Sequence, residues 1–429
     1  MAKKKKGKSP WTVLLAIVLG IAAGSLTGMT ATIFGVTFYS LYDLIGKLFV
    51  NALMLIVVPL VSSSIITGVA RMGNESTFGR LGLKIFMFYI GTSLLAILIG
   101  LFFVNVINPG ASFTMEGSTL VSPETTAQLK ADLASQNRLN VIGIILQIIP
   151  SNIVDAFHGQ MLGLIFFSLL FGYSLSKIEG HAHSVLMGFW QGIFQVMLVI
   201  TDVIMRFLPI GVFCLVAKSF SNAGFSSLRS LALFFMSVII GLAVFAFIGL
   251  PLLLKLIGGV KPMRHFRAMA PALITAFSTS SSSATLPVTI ECVEKRAGVS
   301  NRICSLVVPL GTSINMSGSA LYECVAAMFL AQVYGIELTF TTQFSIALLA
   351  LVASIGVAGI PSASIVAIIV ILKAIGLPAE GIGLLFAVDR ILDMCRTTVN
   401  VFSDSCCAVL VARTEGETNV LTSNRFEPI

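Results

Sequence analysis

Charge is scarce in this chain: only 11% of its 429 residues are Asp, Glu, Lys or Arg, against 56% hydrophobic residues and a mean hydropathy of +0.98. A soluble domain of this size looks nothing like that, which excludes a soluble globular enzyme and indicates a membrane protein. Histidine is nearly absent, at four residues, and none shares a metal-ligand spacing with the seven cysteines, Cys214, Cys292, Cys304, Cys324, Cys395, Cys406 and Cys407. These form no C-x-x-C pair and lie mainly in apolar segments, so they read as small buried hydrophobes. No G-x-x-x-x-G-K-[ST] loop occurs, which argues against ATP hydrolysis. No histidine follows His265, so the serines of the C-terminal third lack a histidine base and an intramembrane serine hydrolase is disfavoured. The net charge of +8 comes without a basic patch interleaved with aromatics, so nucleic acid is not an expected partner.

What the chain has is apolar runs near the roughly 20 residues that cross hydrocarbon. They occupy Trp11–Leu26, Leu48–Ile66, Ile85–Val106, Val141–Leu175, Val185–Val216 and Leu231–Leu256, with three more irregular ones after Met269. The stretch before Trp11 carries Lys3 to Lys6 and Lys8, with no clear small-residue cleavage site behind it, and reads as a retained cytoplasmic anchor. Arg71, Arg80 and Lys84, then Lys255, Lys261, Arg264 and Arg267, fall on the same side by the positive-inside rule. The polar connection Asn108 to Asn140 has no basic excess and is expected outside. This predicts a multi-pass protein of the cell (inner) membrane with both termini cytoplasmic.

Asp389, Asp393, Arg396, Asn400 and Asp404 recur at spacings of four, three, four and four in the last apolar segment. At about 100° per residue they share one helix face within about 80° of arc. Each charge at the bilayer centre costs about 2.5 to 3.5 kcal/mol or more, so such a stripe must line a site, here one for a solute of both charges.

Two segments in this region are interrupted. Ala272 to Phe277 runs into Ser278 to Pro287, and Phe344 to Ser354 runs into the small-residue stretch Ile355 to Ser364 before Ile365 to Leu372. Irregular backbone at membrane depth survives only inside protein or along a wet cavity, which predicts two re-entrant hairpins. Each precedes a long span with a polar centre, Asn315 to Ser319 and Asp393 to Asn400, and the two copies run in opposite senses. Paired broken segments of this kind point to a transporter's binding site. The expected fold is an all-α polytopic membrane protein with eight transmembrane helices, two re-entrant helical hairpins and inverted repeats.

The motifs Ser280–Pro287, Asn315–Glu323, Ala353–Pro361 and Asp389–Asp404, in that order, resemble the glutamate/aspartate transporter family, the dicarboxylate/amino acid:cation symporters. The resemblance covers essentially the whole chain. It implies a homotrimeric elevator-type symporter of an acidic amino acid, with sodium, protons or both as coupling ions and no other cofactor. It implies scaffold helices within 1–84 and 141–225, and a transport domain formed by 85–107 and 226–416. Residues 108–140 would form the extracellular loop and 417–429 a cytoplasmic tail.

Carried over residue by residue, the resemblance gives Arg396 the substrate's side-chain carboxylate and Asp393 its ammonium. It gives Asn400 and the backbone of Ser282 the α-carboxylate, with Ser280, Ser319, Thr397 and the Ile360 carbonyl completing the pocket. A guanidinium that forks onto a carboxylate favours an acidic over a neutral amino acid. One sodium site would use Gly311, Asn315, Asn400 and Asp404. A second would use carbonyls of Ser313, Ser354, Ile355 and Val357 near Met316. A third set, Tyr89, Thr92, Ser93 and Asn315, departs from the pattern, because Ser317 stands where relatives place an aspartate. Glu323 resembles the family's proton carrier, a role that suits a desolvated carboxylate, or it makes a structural hydrogen bond. The family arginine is missing at both Ser280 and Met394, and Arg390 is a candidate replacement with Asp389 as its partner or as support for the cation sites. Proton-only coupling is the alternative within the class, and an anion or ion channel is the alternative outside it.

Overall fold

The computed structural model describes residues 10–33, 35–72, 78–112, 149, 152–157, 161–223, 226–336, 339–356, 363–378 and 381–422. The lysine-rich start, most of the polar connection 108–140, the beginning of the fourth apolar run and the tip of the second interrupted segment lie outside these residues. Apart from a short antiparallel ribbon, β1 (Thr32–Ile33) with β2 (Val36–Thr37), the described elements are helical.

The N-terminal half supplies α1 (Pro10–Thr27), α2 (Phe38–Met72), α3 (Phe78–Ile107), α4 (Ile153–Phe157), α5 (Met161–Leu175), α6 (His181–Ile204) and α7 (Leu208–Ala223). The apolar run Val185–Val216, expected as one span, is two helices. Pro209 has no N–H and restricts the residue before it, so the chain turns at Met205–Phe207 and restarts with proline in the first turn of α7. α1 packs on α7, and α2 packs on α5, α6 and α7. Asp43 of α2 pins this group by accepting from Lys218 of α7 at 2.6 Å while pairing with Lys47 at 2.9 Å.

The C-terminal half continues with α8 (Ser226–Val244), which passes through a π turn into α9 (Leu250–Leu256). There follow α10 (Pro262–Thr279), α11 (Ser282–Glu291), α12 (Asn301–Ile314), α13 (Ser317–Val333), α14 (Phe340–Gly356), α15 (Ala363–Ala374) and α16 (Ile382–Thr414). α13 is the axis of this half, packed against α3, α8, α14, α15 and α16, and every residue of it but Gln332 is buried. α7 lies against α16, where the two halves meet.

Five described helical stretches are long and apolar enough to cross a membrane: 38–70, 80–111, 181–204, 228–256 and 301–333. α16, at 33 residues, is about 50 Å long, more than the roughly 30 Å of hydrocarbon, and its polar stripe holds down its hydropathy.

Candidate functional site

The serine-rich segment is far more helical than its composition suggests. α10 runs through Ser278 to Thr279, and α11 begins at Ser282, leaving Ser280 and Ser281 as the whole turn. Hydroxyls make this possible: Ser281 Oγ accepts from the Ala284 N–H at 3.2 Å as an N-cap, and Thr285 Oγ1 donates to the Ser281 carbonyl at 2.9 Å. Ser280 takes the left-handed conformation, φ 51°, and its buried hydroxyl has no partner among the described residues. Ser282, the first residue of α11, is buried beside it. The second interrupted segment is helical through Ser354 and Ile355 and resumes at Ala363, so the expected ligands Val357 and Ile360 lie outside the described residues.

Between α12 and α13 the helix breaks at Asn315 and Met316, with ψ of 71° and 50°. The break is held from α16. Asn400 Oδ1 accepts from the N–H groups of Gly318 at 2.7 Å and Ser319 at 3.3 Å, capping α13 from a different helix, and Asn400 Nδ2 donates to Ser319 Oγ at 3.1 Å. Here lie the free carbonyls of one helix end and the positive end of the next, the two partial charges a zwitterion and a cation need.

The stripe on α16 is buried along its whole length. Arg396 is 0% exposed; its Nη2 donates to Asp389 Oδ1 at 2.9 Å and to Asp393 Oδ1 at 3.0 Å, and its guanidinium carbon sits 3.7 Å from the centre of the Tyr322 ring. Tyr322 also donates to Asp389 at 3.1 Å. Arg396 Nε and Nη1 are buried without an acceptor among the described residues. Arg390 Nη1 reaches Asp393 Oδ2 at 3.7 Å, so the partner of Asp389 is Arg396 and the neighbour of Arg390 is Asp393. Thr397 is buried next in line. Glu323, 0% exposed on α13, has neither oxygen hydrogen-bonded among the described residues, with Ser364 of α15 nearby.

A second cluster surrounds Asp404. Its Oδ1 accepts from Asn315 Nδ2 at 2.9 Å, while its buried Oδ2 has no donor among the described residues. A Cβ at Gly311 would meet Asp404 Oδ1 at 2.5 Å, so only glycine lets the backbone of α12 approach this carboxylate. Asn315 Oδ1 accepts from Thr92 Oγ1 at 3.1 Å and from Ser317 Oγ at 2.8 Å, and Ser317 lies 3.1 Å from Ser403 Oγ and 3.4 Å from Ser93 Oγ. Tyr89 donates to the Val307 carbonyl at 2.6 Å. Ser313 lies in the last turn of α12 and Ser354 and Ile355 in the last turn of α14, two helices in contact.

The structure therefore brings together Asp393, Arg396, Thr397, Asn400 and Ser319, and separately Gly311, Asn315, Asp404, Thr92, Ser93 and Ser317. Tyr322, Ser403 and Cys407, the last 3.8 Å from Asn315 Nδ2, join them without having been singled out from the sequence. Spacing offered a signal for Cys407, three residues beyond Asp404 on the same helix face, and for Tyr322, three beyond Ser319.

Long apolar helices around a buried, partly unsatisfied charged centre define a helical membrane protein. Residues 10–414 match the sodium:dicarboxylate symporter family, and the chain belongs to that family. It is 35% identical over 415 residues to a proton/glutamate-aspartate symporter of Escherichia coli (strain K12), covering 96% of this chain and 94% of that protein. It is 34% identical over 412 residues to a proton/sodium-glutamate symport protein of Bacillus caldotenax, covering 95% of each. Against excitatory amino acid transporter 3 of Mus musculus it is 32% identical over 452 aligned residues, covering 93% of this chain and 84% of that protein.

Proposed function

We propose that this protein is a secondary-active symporter that imports glutamate or aspartate with sodium, protons or both across the cell (inner) membrane. The observation that carries this reading is Arg396: a guanidinium sealed from water, held by Asp389 and Asp393, with two N–H groups left without acceptors among the described residues. Unpartnered buried donors are costly, and a substrate carboxylate forking onto Nε and Nη1 would satisfy both. Asp393 then faces the ammonium, and Asn400, Ser319, Thr397 and the first hairpin's turn at Ser280–Ser282 face the α-carboxylate. The second hairpin, with Ile360, closes the pocket.

In this reading Asp404 holds the coupling ion. A buried carboxylate oxygen without a donor calls for a cation or a proton, and Gly311, Asn315 and Asn400 add the neutral oxygens that suit sodium. Ser313, Ser354, Ile355 and Val357 form the second sodium set, and Glu323 carries the proton. Eight spans with two re-entrant hairpins, assembled as a homotrimer with cytoplasmic termini, would move the site by an elevator motion.

Proton-only coupling is the second reading, and Ser317 favours it. In the Tyr89, Thr92, Ser93 and Asn315 set, the Asn315 amide oxygen already accepts from the Thr92 and Ser317 hydroxyls, Tyr89 donates to the Val307 carbonyl, and Ser317 adds no formal charge. Uptake of radiolabelled aspartate into proteoliposomes, under sodium and proton gradients imposed separately, decides between the two. Uptake driven by neither gradient refutes symport.

A further inference from the structure

The segment that follows α16 holds none of the candidate site, yet it is bound to the rest of the protein at many points. Gly416, φ +92°, turns the chain out of α16: its N–H donates to the Arg413 carbonyl at 3.2 Å, and that of Glu417 to the Ala412 carbonyl at 3.0 Å. This is a helix-ending glycine turn that a side chain would strain. The chain then passes over the ends of several elements. The Glu417 carboxylate accepts from the Ser300 N–H at 3.1 Å and from the Ser300 hydroxyl, at the N-terminus of α12, where negative charge is favoured. The Leu421 N–H donates to the Ala297 carbonyl at 2.8 Å, at the end of the π-helical stretch Cys292–Arg296 that continues α11.

Arg264, in the first turn of α10, donates to the carbonyls of Leu421 at 3.0 Å and Thr422 at 3.4 Å. Arg413 joins the Gly258 carbonyl, at 2.9 Å beyond α9, to the carbonyls of Glu417 at 3.0 Å and Thr418 at 3.2 Å. Lys84 of α3 bonds the Glu415 carboxylate and the Thr414 carbonyl. Val420 and Leu421 are buried. One short segment thus grips both ends of the α10–α11 hairpin, Arg264 at its start and Ala297 after its finish. The turn at Ser280–Ser281 lies at the opposite end of those helices.

We propose that residues 415–422 form a latch that clamps the base of the α10–α11 hairpin to the N-terminus of α12, with Glu417 as its positioning residue, and so sets the rate of solute exchange at the hairpin's turn. The clamp follows from the contacts alone; its effect on exchange rests on the transport reading above.

The test uses the full chain in lipid nanodiscs with Glu417→Ala and, as a second variant, Arg264→Gln, followed by amide hydrogen exchange. Loss of one charged hydrogen bond should speed exchange at 262–270 and 295–303 by about tenfold or more while leaving 389–404 unchanged. Ser300→Ala combined with Glu417→Ala should be no faster than Glu417→Ala alone. In proteoliposomes the maximal rate of aspartate uptake should change with the half-saturating concentration held constant. Unchanged exchange at the hairpin base, additive single effects, or loss of protection extending to 389–404 overturns the clamp. Faster local exchange with an unaltered uptake rate overturns its role in transport. A wild-type protein that takes up no aspartate sinks the transport reading instead, and the exchange data stand apart from it.

Discussion

Arg396 concentrates the chemistry of this protein. Its three partners, Asp389, Asp393 and Tyr322, bind one edge and one face of the guanidinium and leave Nε and Nη1 without an acceptor among the described residues, the proposed seat of the substrate carboxylate. Arg396→Ala is expected to lower aspartate affinity by about a hundredfold or more, the scale of lost charged hydrogen bonds, in equilibrium binding by calorimetry. It should also cost about 3 to 5 kcal/mol of stability by stranding two buried carboxylates, which a thermal shift would show. Arg396→Lys keeps the charge without the fork and should restore stability better than affinity. Glu323→Gln should flatten the pH profile of uptake; an unchanged profile would leave that carboxylate a structural role.

At the scale of elements, the site depends on two places where helices stop. At the first, Ser280 occupies a backbone region that favours glycine, so Ser280→Gly should stabilise the turn by about 1 kcal/mol, read as a raised melting temperature. If the strained serine serves the substrate, that gain will come with weaker aspartate binding. At the second, Gly311 admits the Asp404 carboxylate to the end of α12. Gly311→Ala forces a 2.5 Å contact and should weaken cation dependence of substrate binding more than substrate binding at saturating cation. A sodium titration of aspartate affinity separates the two effects.

For the whole molecule, pH reaches two distant places. Glu415 lies beyond the last helix, and its carboxyl is held below the ordinary range, chiefly by its hydrogen bond to Lys84, with Arg80 and Arg302 adding to the effect. A depressed carboxylate contributes stability that is present above its unfolded value and lost as pH falls through its folded one. The contact between Glu415 and Lys84 should therefore stay closed across neutral pH and loosen only below the usual carboxylate range. Hydrogen exchange at 412–417, compared at neutral pH and at pH below about 4, is expected to show this. Any pH dependence of uptake near neutrality then belongs to the buried centre.

The sequence by itself determined that this is a membrane protein with a charged stripe on one face of its last helix. Scarcity of charge and a strict three-and-four spacing are local, periodic facts that survive any packing. It also revealed an interruption among the serines, whereas Asn315 to Ser319 read only as the polar centre of one long span, and the stop at Asn315–Met316 is a finding of the structure. How much breaks was not legible, because hydroxyl caps convert all but two residues of the serine run into helix. The split of Val185–Val216 hung on a single proline that hydropathy averages away. Only tertiary structure decided that Asp389 pairs with Arg396 while Arg390 leans on Asp393, that Tyr322 lies under the guanidinium, and that Asn400 caps a helix other than its own. Those choices are made by side chains meeting across different elements, where the cost of an unpaired buried charge selects partners that no spacing along one helix encodes.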